Sequence, residues 1–214
     1  MAKRMVGVTL FLAIAALLPS GAASAAEEVL DAAGLRAAGG SPPVMTYAPP
    51  ADGKEALFAR GIQGAVRIRV VIGTDGALRD ASIADSSRSA ELDAFALGLV
   101  GRMTFQPAKD KAGRPVAVIS HFPMELWKDS AMDGTLFAKS CADFVMDADW
   151  FRQTFPEKRP DQLRGWLLLS GLFFAQRYTL GAKPGTGPDF QAVYDACRAK
   201  PKRKLVDMYK QLET

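Results

Sequence analysis

Between residues 64 and 72 apolar and polar positions alternate. Val66, Ile68, Val70 and Ile72 fall on one row, and Ala65, Arg67, Arg69 and Val71 on the other. A period of two lays one apolar row along a single face of a β-strand. Asp75 and Gly76 follow, a dipeptide suited to the positive φ angles of a two-residue hairpin turn. A return strand is expected from residue 77 to about 84, where the spacing of Leu78, Ala81 and Ile83 breaks the alternation and predicts a bulge. After the loop DSSRS at 85–89, the apolar residues Leu92, Phe95, Ala96, Leu99, Val100 and Met103 share one helical face. Glu91 and Asp93 at its start and Arg102 near its end suit the helix dipole. The next stretch alternates again, Val116, Val118, Ser120 and Phe122 against Ala117, Ile119, His121 and Pro123. Strand, strand, helix, strand predicts an α+β unit over 42–127, a small three-stranded antiparallel sheet packed with one helix.

Beyond residue 127 the period changes. The polar stretch KDSAMDG at 128–134 opens a linker, 128–137, and every later apolar pattern is helical. One face carries Cys141, Phe144, Val145 and Ala148. A second carries Leu163, Trp166, Leu167, Ser170 and Phe174; a third Phe190, Val193 and Cys197; a fourth Leu205, Met208, Tyr209 and Leu212. The second helix is apolar nearly all round, WLLLSGLFFA, and is expected at the centre of an all-α bundle over 138–214.

The amino terminus changes the picture of where the chain works. A basic start, MAKR, a run of about 13 apolar residues and the small-residue site Ala23-Ser24-Ala25 predict a signal peptide over 1–25, too short an apolar run to span a bilayer. The expected location is the periplasm. Losing Lys3 and Arg4 lowers the formal charge from +4 to +2, which removes a general electrostatic case for nucleic acid. Two cysteines in an exported chain, each on an apolar helical face, predict a Cys141–Cys197 disulfide between the first and third helices of the bundle. Residues 26–41, rich in Ala and Gly, are expected as a flexible arm that leads into a Pro-rich stretch.

Candidate chemistry is sparse. His121 is the one histidine, and neither GxSxG nor HExxH occurs. GAKPGTG at 181–187 lacks the Lys-Ser/Thr end of a phosphate loop and reads as an interhelical loop. Asp147 and Asp149 begin like a calcium loop, but Phe151 takes the next ligand position, so they are expected at a solvated helix end. The basic run RAKPKRK at 198–204 reads as a helix junction. No catalytic residue, metal, cofactor or small-molecule substrate is inferred; an enzyme would have to use His121 with Arg67 or Arg69.

Residues 42–127 resemble the TonB C-terminal domain family. The motifs are the lead-in PPVMTYAPP, then GIQGAVRIRVVI, a D-G turn, SSRSAELDAFAL opening the helix, RMTFQPA ending it, and GRPV before the last strand. The resemblance implies a non-enzymatic periplasmic domain that grips a short segment of an outer-membrane transporter by adding it to a sheet edge. The receiving strand it implies comprises Val116, Ala117, Val118, Ile119, Ser120, His121 and Phe122. A three-stranded sheet backed by one helix leaves such an edge open, and the same edge could pair two copies into a homodimer. Energy-transducing members keep a membrane helix and a long Pro-rich spacer; neither is expected here, and retention of the amino-terminal segment as an anchor would restore the energy-transducer reading. The second half, about 138–214, resembles the HdeA family of acid-stress chaperones in SCADFVMDAD and VYDACRAKP. That resemblance implies an alternative activity, exposure of WLLLSGLFFA at low pH.

Overall fold

The computed structural model describes residues 28–180 and 187–213; the expected signal peptide and most of the GAKPGTG loop lie outside them. The segment expected as an arm carries β1 (Val29–Leu30) and α1 (Ala32–Ala37). The lead-in supplies β2 (Val44–Tyr47), followed by α2 (Lys54–Phe58). The alternating stretch is β3 (Gly64–Ile72), with Val66, Ile68, Val70 and Ile72 all buried.

β4 (Leu78–Asp85) pairs antiparallel to β3, and the register slips twice, between Arg67 and Ile68 and between Arg69 and Val71. The broken alternation in the sequence is thus a pair of irregularities, and Asp80 takes a left-handed conformation, φ 52°, in that stretch. The turn is longer than expected. Residues 73–77 separate the strands: the Gly73 amide donates to the Ala77 carbonyl, and the Asp75 carboxylate accepts from the Ala77 amide, so the side chain closes the loop. Gly76, at φ 78°, is required twice over, because a Cβ there would strike the Phe105 carbonyl.

α3 (Ala90–Val100) begins where Ser89 caps it, the side chain accepting from the Leu92 amide. Leu92, Ala96, Leu99 and Val100 are buried, and Ala96 and Val100 join the β3 row in one apolar core with Phe105. β5 (Thr104–Gln106), β6 (Ala108–Lys109) and β7 (Pro115–Leu126) complete this half. The sheet has five strands rather than three: β1-β7-β3-β4 in order, with β6 also paired to β7, while β2 and β5 form a separate two-stranded sheet. The additional strands are two to four residues long, too short to display a period in the sequence.

The helical half runs α4 (Thr135–Ala138), α5 (Cys141–Thr154), a 3-10 turn at Pro160–Gln162, α6 (Arg164–Thr179), α7 (Phe190–Ala199) and α8 (Leu205–Leu212). Cys141 and Cys197 are bonded, joining the start of α5 to α7, and both are fully buried. The basic run at 198–204 is a junction. Its main chain zips onto α5, the Cys141 amide donating to Arg203 and the Ala142 amide to Pro201.

α6 is not the centre of the bundle. Trp166, Leu169 and Phe173 face the core, but Leu167 is 54% and Phe174 56% exposed, so the buried face lies about one residue round from the one expected. An all-apolar helix gives periodicity nothing to distinguish.

The linker after β7 meets the helical half at a buried charge cluster. The Lys139 ammonium, almost fully enclosed, bonds Asp129 at 2.7 Å and pairs with Asp147. Lys128 reaches Asp147 at 3.2 Å and Asp143 at 3.4 Å, while its amide donates to the side chain of Gln63, just ahead of β3. Burial opposes the charge on Lys139, but the attraction of Asp147 and Asp129 outweighs it and holds the ammonium above its ordinary range. Asp147 and Asp149 therefore do not sit at a solvated helix end: the first is buried in this cluster, and the second accepts from the Tyr194 hydroxyl at 2.5 Å.

Candidate functional site

The last strand has two sides. Along its inner side β7 pairs with β3 without interruption, from Gly64 opposite Leu126 to Ile72 opposite Val118. Its first residues have further neighbours: Val116 pairs with Ala108 of β6, while Ala117 and Val118 pair with Val29 and Leu30 of β1, which runs parallel to them. β1 stops there. From Ile119 to Leu126 no second strand flanks β7 among the described residues.

Of the seven residues expected to receive a partner, Val116, Ala117 and Val118 thus already have strand neighbours beyond β3, whereas Ile119, Ser120, His121 and Phe122 lie along the stretch flanked on one side only. That stretch continues through Pro123, Met124, Glu125 and Leu126, which the expectation did not include.

Pro123 fixes which main-chain groups point outward. A proline has no N–H and sits within a sheet only where its nitrogen faces away from the paired strand. The unbroken β3–β7 register spans Pro123, opposite Arg67. Alternation then turns the main-chain groups of His121, Pro123 and Glu125 to the outer side, and those of Ser120, Phe122 and Met124 to β3. The outer edge offers amide donors at His121 and Glu125, separated by a gap at Pro123 where only a carbonyl is available. A proline on an edge limits indiscriminate pairing, and here it interrupts the row of outward donors.

The side chains divide by face. Phe122 and Met124 pack against the β3 core, and Phe105 and Phe122 have ring centroids 5.3 Å apart. His121, Pro123 and Glu125 are exposed on the opposite face. There His121 lies in register with Arg69, and Arg67 reaches Asp85 at 2.5 Å. Trp127, immediately after the strand, donates from Nε1 to the Glu125 carboxylate at 3.0 Å and holds the end of the edge in place. Pro123 stands inside an alternating run, and a proline there is itself the sequence signal of an edge strand.

Residues 55–125 match the family described as Gram-negative bacterial TonB protein C-terminal. The TonB-like segment starts inside α2 and takes in β3, β4, α3, β5, β6 and all but the last residue of β7. β1, which covers the beginning of the β7 edge, lies outside the match, and so does the whole helical half, including the segment read as HdeA-like. No curated protein matches the chain. No helix among the described residues is long and apolar enough to cross a membrane.

Proposed function

We propose that this chain is a non-enzymatic, periplasmic protein-binding module that takes an extended segment of an envelope protein as an added strand along β7, between Ile119 and Leu126. The observation that carries this reading is the one-sided pairing of β7 beyond Val118, among the described residues, in a TonB-like segment. Strand addition draws affinity from main-chain hydrogen bonds and specificity from alternate side chains, here His121, Pro123 and Glu125 on one face and Phe122 and Met124 on the other. An outer-membrane transporter is the partner type that the family resemblance supports. Cleavage of the signal peptide near Ala25 releases the module, which binds without transducing force.

The outward pattern supplies the test. His121→Pro removes a donor on the outer side only, so the variant folds like wild type and loses capture of the outer-membrane partner that the wild-type protein recovers from envelope extract. Ser120→Pro removes a donor that faces β3 and unfolds the sheet. A folded His121→Pro variant that captures the same partner undiminished contradicts strand addition. Loss of capture on His121→Ala would instead place recognition in the imidazole.

A further inference from the structure

Where the start of β3 meets the helical half, a cleft of about 360 Å³ opens between the two. Its walls come from both: Gln63, Gly64 and Ala65 at the start of β3, the loop 86–88, Trp127 after β7, and Trp150 and Phe155 from the helical side. Such a volume is in the range of small-molecule pockets, which favour domain junctions and combine an apolar lining with a few placed polar groups.

Three features of this cleft point to the same kind of occupant. Three cations stand on its aromatic walls: Arg164 lies 4.7 Å from the Trp127 ring centroid, and Lys158 and Arg88 lie 4.6 and 5.1 Å from that of Phe155. Arg88 pairs with Glu157 at 2.6 Å and Lys158 shares the field of that carboxylate, which leaves the three cations one neighbouring carboxylate; Arg164 makes no ion pair among the described residues. A guanidinium stacked on a ring keeps its N–H edge free for an in-plane carboxylate. At the inner wall Gln63 is 2% exposed; its Oε1 accepts from the Lys128 amide, but its Nε2 has no acceptor among the described residues. Leaving a buried donor unpaired is unfavourable, and an acceptor brought by a ligand relieves it.

We infer that this cleft binds a small organic carboxylate: a flat apolar body of one or two rings lies between Trp127, Trp150 and Phe155, the carboxylate meets Arg164 and Lys158, and the Gln63 amide donates to an acceptor in the interior. Binding here does not rest on strand addition at β7, although Trp127 borders both sites. A neutral molecule of the same shape lacks the charge that the two rim cations recognise, and a bare inorganic anion lacks the body.

The chain has three tryptophans, two in this cleft and Trp166 in the helical core, so the indole N–H signals of the 15N-labelled protein report the site directly. Titration with 1-naphthoate is expected to shift the Trp127 and Trp150 signals in a saturable way and leave that of Trp166 in place, while 1-naphthylmethanol, the neutral counterpart, binds at least about tenfold more weakly. Lys158 and Arg164 are exposed, and the double variant Lys158→Ala/Arg164→Ala is expected to fold and to weaken 1-naphthoate by a similar factor, about tenfold or more. The inference is overturned if 1-naphthoate moves neither cleft indole, if only Trp166 responds, if the alcohol binds as tightly, or if the double variant binds like wild type.

Discussion

Asp93 is a surface-type residue that does structural work at the start of α3. Its carboxylate accepts from the Ser86 hydroxyl at 2.6 Å, the Ser87 amide at 2.9 Å and the Ser87 hydroxyl at 2.7 Å, tying the loop after β4 to the helix that covers the sheet. Partial burial pushes its pKa up, but the two serine hydroxyls and the Ser87 amide outweigh this and hold it below the usual carboxylate range. A carboxyl whose folded pKa is depressed stabilises the protein above its unfolded value, about 3.9, and that contribution fades as pH falls through the lower folded value. Asp93→Ala is therefore expected to cost about 2 kcal/mol at neutral pH by urea unfolding. The gap between variant and wild type should narrow as pH falls below about 4; a gap that stays constant with pH would refute the assignment. The sequence placed Asp93 in the first helical turn through the dipole preference, but its three bonds depend on a loop conformation, with Arg88 at φ 67°, that no period encodes.

Among the elements, β3, α3 and β7 were legible because each is long and keeps one period, two for the strands and 3.6 for the helix. β1 and β6 were not, since two residues set no period and their place depends on what β7 leaves unpaired. α6 shows the opposite failure: its sequence is too uniformly apolar to say which face is buried, and the core took Trp166, Leu169 and Phe173 while leaving Leu167 and Phe174 at the surface. The bond between α5 and α7 was legible from two cysteines on apolar faces in a chain whose sequence predicts export. It closes 56 residues of chain, which on the chain-entropy account stabilises by roughly 4 kcal/mol. Replacing Cys141 and Cys197 together by Ala is expected to lower the denaturant midpoint of the helical half by an amount of that order. Unchanged unfolding of the double variant would show that the bundle core holds those helices without the bond.

At the scale of the molecule, the TonB-like segment forms the sheet and its covering helix, and the residues around it decide how much of the sheet remains accessible. β1, from before the matched segment, takes the first part of the β7 edge, and the helical half is tied to the linker after β7 by the Lys139, Asp129 and Asp147 cluster and to the matched segment by the Arg88–Glu157 pair. The candidate site was legible as a strand but not as a span: the sequence pointed to β7, whereas the stop of β1 at Val118 moves the accessible part toward Leu126, and Pro123 sets which amides face outward. Residue-resolved amide hydrogen exchange on β7, with and without the captured envelope partner, reads that edge directly. The account predicts that His121 and Glu125 exchange fast in the free protein and become protected in the complex, while Phe122 and Met124, bonded to β3, stay slow in both. Exchange at His121 and Glu125 that is unchanged by a bound partner would contradict it.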